Sequence, residues 1–152
     1  MAVSGEDIGI NHELCVFEST SLDSVPDIIL GRGIEGVQIV DFSERLNTYD
    51  GTVAVKPKSE VVTPDQAAIL ADVFRGYHGV PYENEYIELA GSAVPLFADD
   101  RTDLESMFCS ELCAEILKRW GFLPPIIPSN HYSPAELAIN NLTGYADGIT
   151  VL

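Results

Sequence analysis

The sequence is short of positive charge. Eight Lys and Arg residues stand against 24 Asp and Glu residues, and the formal net charge is −16 over 152 residues. This balance argues against unspecific nucleic-acid binding and against docking on an anionic membrane, because both need cations to meet phosphate groups. No apolar run approaches the roughly 20 residues of a membrane-spanning helix. The first residues, Met1-Ala2-Val3, lead directly into polar residues rather than into the apolar part of a secretion signal.

Cysteine is scarce as well. The chain has only Cys15, Cys109 and Cys113. So small and odd a number does not describe a disulfide framework, and it favours a reducing compartment, by default the cytoplasm. His12-x-x-Cys15 and Cys109-x-x-x-Cys113 together offer four possible zinc ligands, but their spacing is loose and Cys15 lies in an apolar run. We therefore expect no metal and no other cofactor.

Hydrophobic residues make up 46% of the chain, which is enough for the core of one domain. Short apolar runs predict strands at residues 14–18, 37–41, 52–56 and 149–152. Helices are predicted at residues 43–49, from a capping box at Thr63 onward, at residues 108–120 and at residues 133–140. Residues 21–36 are expected to form a long loop, and residues 83–101, which show no clear period, to shape the rim of a pocket. The sum is an α+β fold with a small antiparallel sheet and two main helices.

Cys109 is the best candidate for chemistry. It stands at the start of the helix predicted at residues 108–120, whose apolar residues cover so much of its circumference that the helix should be central and buried. A thiol at a helix N-terminus lies at the positive end of the helix dipole, which favours the nucleophilic thiolate. The alternative is that Cys109 is only a small core residue. Cys113, one turn further along, is expected to belong to the core.

Several motifs carry a resemblance to a known family. Phe108-Cys109-Ser110-Glu111-Leu112, followed by an apolar helix, resembles the Cys motif of circularly permuted NlpC-like cysteine peptidases and amidases, the YiiX/YaeF-like branch of the papain-like fold. Other segments are similar to family elements in the same order, namely Val16-Phe17-Glu18-Ser19-Thr20, Gly36-Val37, Val53-Ala54-Val55-Lys56, Gly79-Val80-Pro81-Tyr82 and Ser133-Pro134-Ala135-Glu136-Leu137.

The resemblance implies a single permuted papain-like domain over residues 1–152, with a small sheet packed against the central helix that carries the Cys at its N-terminus. It implies that Cys109 is the nucleophile and that Glu18 orients a His base. Tyr82 would contribute to substrate binding, although it equally fits a turn aromatic packed on the core. The implied substrate is an amide or an ester, in a peptide, a peptidoglycan-like polymer or an acyl lipid. The reaction is hydrolysis or acyl transfer.

The base is the missing part of this scheme. The family resemblance places the His on the first strand, and Met1-Ala2-Val3 resembles the end of that strand, so we expect the His just before Met1 and part of the first strand to be lacking. His12 is the substitute candidate, although it also fits an exposed loop residue. His78 fits a helix C-terminus, and His131 fits local packing. Without a competent His, the alternative is a non-catalytic binding or interaction domain with a papain-like fold.

Overall fold

The computed structural model describes residues 1–82, 107–139, 145, 150 and 151. The segment 83–101, predicted to shape a pocket rim, lies outside these residues.

Three strands form the main sheet. They are β1 (Ala2–Ser4), β2 (Leu14–Thr20) and β3 (Gly36–Asp41), all antiparallel in the order β1-β2-β3. The strands predicted at residues 14–18 and 37–41 are confirmed. The strand predicted at residues 52–56 is shorter, because only β4 (Ala54–Val55) pairs, with β5 (Thr150–Val151). The long loop between β2 and β3 is also confirmed.

The segment that precedes the central helix extends the sheet beyond β3. Gly36 forms an antiparallel bridge with Pro81, and Tyr82 forms a parallel bridge with Met107. The chain from Gly79 to Tyr82 therefore lies between β3 and the start of the helix that carries Cys109.

Each helix in the described part begins either at a capping residue or, in one case, at Cys109. Asp41 caps α1 (Phe42–Thr48) by accepting the Glu44 N–H at 2.7 Å. Thr63 and Gln66 form the predicted capping box of α2 (Pro64–Tyr77). α3 (Cys109–Arg119) and α4 (Pro134–Ile139) follow, with short 3-10 turns at Glu6–Ile8 and Ser129–His131. None of the helices among the described residues combines the length and the apolar character needed to cross a membrane.

The two faces of the sheet are covered by different helices. Along β2, Cys15, Phe17 and Ser19 are buried on one face, while the alternate residues Val16 and Glu18 lie half-buried on the other. The first face packs against α2 and α3, and α1 folds over the second. The buried residues of α3 include Leu112, Ala114, Ile116 and Leu117. The expected α+β architecture with a central, buried α3 is therefore confirmed.

Candidate active site around Cys109

Cys109 is the first residue of α3. Phe108 is the N-cap and has extended backbone angles, and its side chain cannot accept a hydrogen bond from the first turn. Among the residues that the structure describes, no side chain caps this turn, so its N–H groups can face a ligand or the thiol itself. Cys109 is exposed, whereas Ser110, Glu111 and Leu112 behind it are buried. The exposure of this residue argues against the alternative that Cys109 is only a small core residue. Cys113, expected in the core, is only half-buried.

The backbone that leads into Cys109 is held on two sides. The Met107 N–H donates to the Pro81 carbonyl at 3.1 Å. The Ser19 hydroxyl donates to the Met107 carbonyl at 2.5 Å, and the Met107 side chain is fully buried. These contacts anchor the start of α3 to the end of β2 where the strand finishes at Thr20. Ser19 was missed from the sequence, because a hydroxyl in a strand does not reveal a contact 88 residues away.

The thiol of Cys109 is not activated by the described residues. Partial burial raises its pKa above the ordinary value, and the nearby Cys113 thiol raises it further. Hydrogen bonds from the backbone N–H groups of Ser110 and Cys109 act in the opposite direction, as does the Met1 ammonium group. The raised pKa means that the thiol is predominantly protonated at neutral pH, so nucleophilic chemistry there needs a base.

Tyr82 lies beside Cys109. Its ring meets that of Phe108 edge-on, with centroids 5.8 Å apart. Burial raises the pKa of the Tyr82 hydroxyl, and the neighbouring Cys109 thiol raises it further. The Tyr82 phenol therefore lies close enough to the Cys109 thiol for the two groups to interact, and its role in substrate binding remains a prediction.

Glu18 points to the face of the sheet that α1 covers. Its Oε1 accepts hydrogen bonds from Arg45 Nε at 2.8 Å and from Gln38 Nε2 at 3.2 Å. Arg45 and Glu18 side chains are only 8% and 19% exposed. Because Ser19 points towards Met107, the adjacent Glu18 points to the α1 side of the sheet. Among the described residues, no His is hydrogen-bonded to Glu18, and its orienting role remains a prediction.

His12 lies at the other end of the sheet. Its Nε2 is 2.7 Å from Asp41 Oδ2, next to the start of β2. Ser19, which contacts the start of α3, is five residues from Leu14 along β2, a separation of about 16 Å at the usual rise of a strand. The described contacts give His12 a partner in Asp41 and none at Cys109. Its role as a base remains a prediction.

The other two histidines lie at the C-terminus of α2 and in a short 3-10 turn. His78 is the C-cap of α2, and its Nε2 lies 2.9 Å from Oδ2 of the fully buried Asp27. His131 lies in the turn Ser129–His131, and its Nε2 is buried with no hydrogen-bond partner among the described residues.

Asp27 was missed from the sequence, although it organises the long loop. Its Oδ1 accepts the N–H groups of Ile29 and Leu30, and its Oδ2 accepts that of Ile39 at 2.8 Å. Burial acts to raise the pKa of Asp27, but the hydrogen bonds from Ile39, Leu30 and His78 outweigh it and leave the pKa below its ordinary value. An Asp side chain that accepts the N–H groups two and three residues further on forms an Asx-type turn. Such turns are the signal in residues 26–31 that could have identified Asp27.

The possible zinc ligands are not assembled. In the part of the chain that the structure describes, no group of three or more His, Cys, Asp or Glu residues is arranged to hold a metal ion. Cys15 is fully buried on the core face of β2, while His12 binds Asp41.

Comparisons of this chain with protein-family models, with curated proteins and with solved structures found no match.

Proposed function

We propose that this chain is a thiol hydrolase or acyltransferase with a permuted papain-like fold, in which Cys109 attacks the carbonyl carbon of an amide or an ester. The observation that carries the proposal is an accessible cysteine, partly desolvated at its thiol, on the first residue of a buried central helix. Backbone N–H groups of Cys109 and Ser110 are directed at that thiol. Tyr82 beside it offers a phenol and a ring surface to a substrate.

The chemistry follows from these groups. A base takes the proton of the Cys109 thiol, and the thiolate adds to the carbonyl carbon. N–H groups in the first turn of α3 stabilise the resulting oxyanion. The bond to the leaving amine or alcohol breaks, the base returns its proton to that group, and a thioester remains. Water or a second acceptor then attacks the thioester, which releases the product and restores the thiol.

We propose that the base is a His on residues that precede Met1. In the register of β1 and β2, Ala2 pairs with Val16, so the second residue before Met1 would lie opposite Ser19, on the face of the sheet that contacts the start of α3. The Met1 ammonium group donates to the Phe17 carbonyl at 2.7 Å and is near enough to Cys109 to lower its pKa. A His entering on this strand would thus reach the end of the sheet where Cys109 lies. Reading the coding sequence upstream in frame tests this placement, and a stop codon directly before Met1 with no His codon nearby would defeat it.

Thiol labelling tests the proposed nucleophile. The chain that begins at Met1 is treated with iodoacetamide, with and without an N-terminal extension encoded upstream, and the modified cysteines are identified by mass spectrometry. We expect the extension to accelerate labelling of Cys109 at pH 7 and to permit turnover of a p-nitrophenyl ester. The same extension with its His replaced by Ala is the matched control for the base. Cys113→Ser should retain both effects, and Cys109→Ser should abolish both.

A non-catalytic binding domain is the second candidate. The observation that favours it is the raised pKa of Cys109, together with the absence of any His hydrogen-bonded to the thiol among the described residues. Slow labelling of Cys109 with no ester turnover in both forms of the chain would support this candidate and contradict the enzyme.

A further inference from the structure

Residues 79–82, which we call the connecting segment, follow α2 and run along the edge of β3 that faces away from β2. The Gly79 N–H donates to the Val37 carbonyl, and the Val37 N–H donates to the Val80 carbonyl, both at 2.8 Å. The approach is close, because a Cβ atom on Gly36 would lie 2.3 Å from the Val80 carbonyl oxygen. The connecting segment is therefore held against the sheet through backbone atoms.

The connecting segment in turn contacts the candidate site. The Pro81 carbonyl accepts the Met107 N–H at 3.1 Å, two residues before Cys109. Tyr82, the last residue of the segment, meets Phe108 edge-on with ring centroids 5.8 Å apart. A displacement of the segment along β3 would consequently move both the backbone that leads into Cys109 and the Tyr82 phenol beside it.

His78, the residue directly before the connecting segment, links it to β3 through a buried carboxylate. Its Nε2 lies 2.9 Å from Oδ2 of Asp27, whose side chain is fully buried. The same Oδ2 accepts the Ile39 N–H of β3 at 2.8 Å. The imidazole is only 16% exposed and packs against the Phe74 ring of α2, with centroids 5.0 Å apart. One oxygen atom thus joins the end of α2 to the strand on which the connecting segment lies.

The ionised state of Asp27 determines where His78 carries its proton. Burial acts to raise the pKa of Asp27, but hydrogen bonds from Ile39, Leu30 and His78 outweigh it and leave the pKa below its ordinary value. The carboxylate is therefore ionised at neutral pH and can only accept hydrogen bonds. Nε2 of His78 must carry a hydrogen to donate to it, so the neutral ring is the Nε2–H tautomer and a second proton is taken up at Nδ1.

Asp27 is the titratable group that contacts the His78 ring in the described part of the chain. Arg75, three residues earlier on α2, is exposed and pairs with a carboxylate of its own helix. Arg32 and Glu35 lie in the loop next to the connecting segment and are exposed to solvent. The hydrogen bond to Asp27 is therefore the polar contact that fixes this ring.

We propose that His78 is a positioning residue for the candidate site: its hydrogen bond to Asp27 fixes the connecting segment on β3, and the segment holds Tyr82 and the start of α3 at Cys109 in place. His78 acts through the backbone of the connecting segment. The inference rests on the proposed function for the use of the site, but both of its tests are made without turnover.

A titration of the intact chain tests this connection without a substitution at His78. The chain labelled with ¹⁵N is followed by NMR from about pH 5 to 8, where histidine ordinarily changes its charge. We expect the Nε2–H tautomer of His78 at pH 8, because Asp27 accepts from that nitrogen. Protonation strengthens this hydrogen bond, so the amide signals of Gly79, Tyr82 and Met107 should shift with the midpoint of the His78 ring.

His12, which binds Asp41 elsewhere on the sheet, provides the control for this titration. The amide shifts should persist unchanged in His12→Gln. Amide signals of Tyr82 and Met107 that do not follow the His78 ring, or a neutral His78 ring with its hydrogen on Nδ1, would overturn the proposal.

Three substitutions of His78 separate its hydrogen bond from its packing. His78→Phe keeps a ring against Phe74 but removes the donor. His78→Gln offers an N–H group close to the position of Nε2, whereas His78→Asn, which is one CH₂ group shorter, does not reach Asp27. Burial is the largest cause of the raised pKa of Cys109, so a loosened start of α3 that admits water should lower this pKa. We expect iodoacetamide at pH 7 to label Cys109 at least about twofold faster in His78→Phe and His78→Asn, and at the parent rate in His78→Gln.

Thr63→Ala is the control for a general loss of stability, because it removes the capping box at the other end of α2. Urea unfolding verifies that each variant is folded, and the labelling rate of Cys109 in Thr63→Ala should equal that of the parent. An equal acceleration in Thr63→Ala, or the parent rate in His78→Phe, would overturn the positioning role. If His78→Phe and His78→Asn do not fold, the titration of the intact chain decides.

The outcomes separate the two proposals. Labelling rates that follow His78, together with no ester turnover by the extended chain, would overturn the enzyme and leave the positioning role standing. Ester turnover with labelling rates that are indifferent to His78 would overturn the positioning role alone.

Discussion

Replacing Asp27 by Asn should destabilise the protein more than any other single isosteric change in the long loop. The side chain of Asp27 is fully buried, and its two oxygens accept from four donors. Asn retains one acceptor oxygen and places an NH₂ group where the other oxygen stood. If the remaining oxygen keeps the N–H groups of Ile29 and Leu30, then Ile39 N–H and His78 each lose their acceptor.

The magnitude follows from those two losses. A hydrogen bond to a charged group contributes roughly 1.5–3 kcal/mol, and a buried donor left unsatisfied costs roughly 1–3 kcal/mol. Allowing for relaxation around the site, we expect the free energy of unfolding to fall by about 3 kcal/mol, against a typical total of roughly 5–15 kcal/mol. For a chain of this length, that corresponds to a decrease of about 6–12 °C in the melting temperature.

Urea unfolding followed by the fluorescence of Trp120 and by circular dichroism measures the loss. With a slope of about 2 kcal/mol/M, the midpoint should fall by about 1.5 M. Asp23→Asn, an exposed change in the same loop, is the control and should stay within about 0.5 kcal/mol of the parent. Coincident midpoints for the two variants would refute the reasoning.

The effect of Asp27 should also depend on pH with a definite sign. Its pKa is lower in the folded state than in the unfolded chain, so its ionised form stabilises the fold at pH values above the unfolded pKa of about 4. This contribution is lost as the pH falls through the lowered folded pKa. The stability difference between the parent and Asp27→Asn should therefore shrink below about pH 4, and a difference that stays constant down to pH 2 would contradict the assignment.

Three further substitutions test how the site is supported. Gly36→Ala would place a Cβ atom 2.3 Å from the Val80 carbonyl oxygen and should clearly lower the melting temperature. Gly76→Ala, at a position with open space around it, should leave the melting temperature equal or higher. Equal decreases for the two variants would contradict this expectation. Thr63→Ala removes the α2 capping box and should cost about 1 kcal/mol in urea unfolding, with no loss as the refuting result. Arg45→Met removes the main hydrogen-bond partner of the Glu18 carboxylate and should lower the free energy of unfolding by roughly 1–3 kcal/mol. Adding Glu18→Gln to the same chain should restore part of this loss. A double variant that is no more stable than Arg45→Met would exclude the pairing.

Local signals explain which elements could be predicted. The capping boxes at Thr63 and Ser133 and the short apolar run at residues 14–18 involve neighbours a few residues apart, and the structure confirms the elements that they predict. The start of α3 at Cys109 belongs to the same class, because an apolar helical stripe preceded by an extended segment locates a helix N-terminus. The predicted strand at residues 52–56 shrinks to two residues, since its length depends on a partner strand far along the chain.

The sequence by itself determined the acidic character, the α+β class, the central helix and the position of Cys109 near its start. Only the tertiary structure decided what surrounds that thiol. Tyr82 reaches it because the segment after α2 joins the sheet beside Met107, whereas Glu18 faces Arg45 because adjacent residues of a strand point to opposite faces. The loop between β2 and β3 likewise depends on Asp27, whose buried carboxylate joins residues from the loop, β3 and the end of α2. Contacts between residues tens of positions apart leave no periodic trace in the sequence, and it is these contacts that define the site.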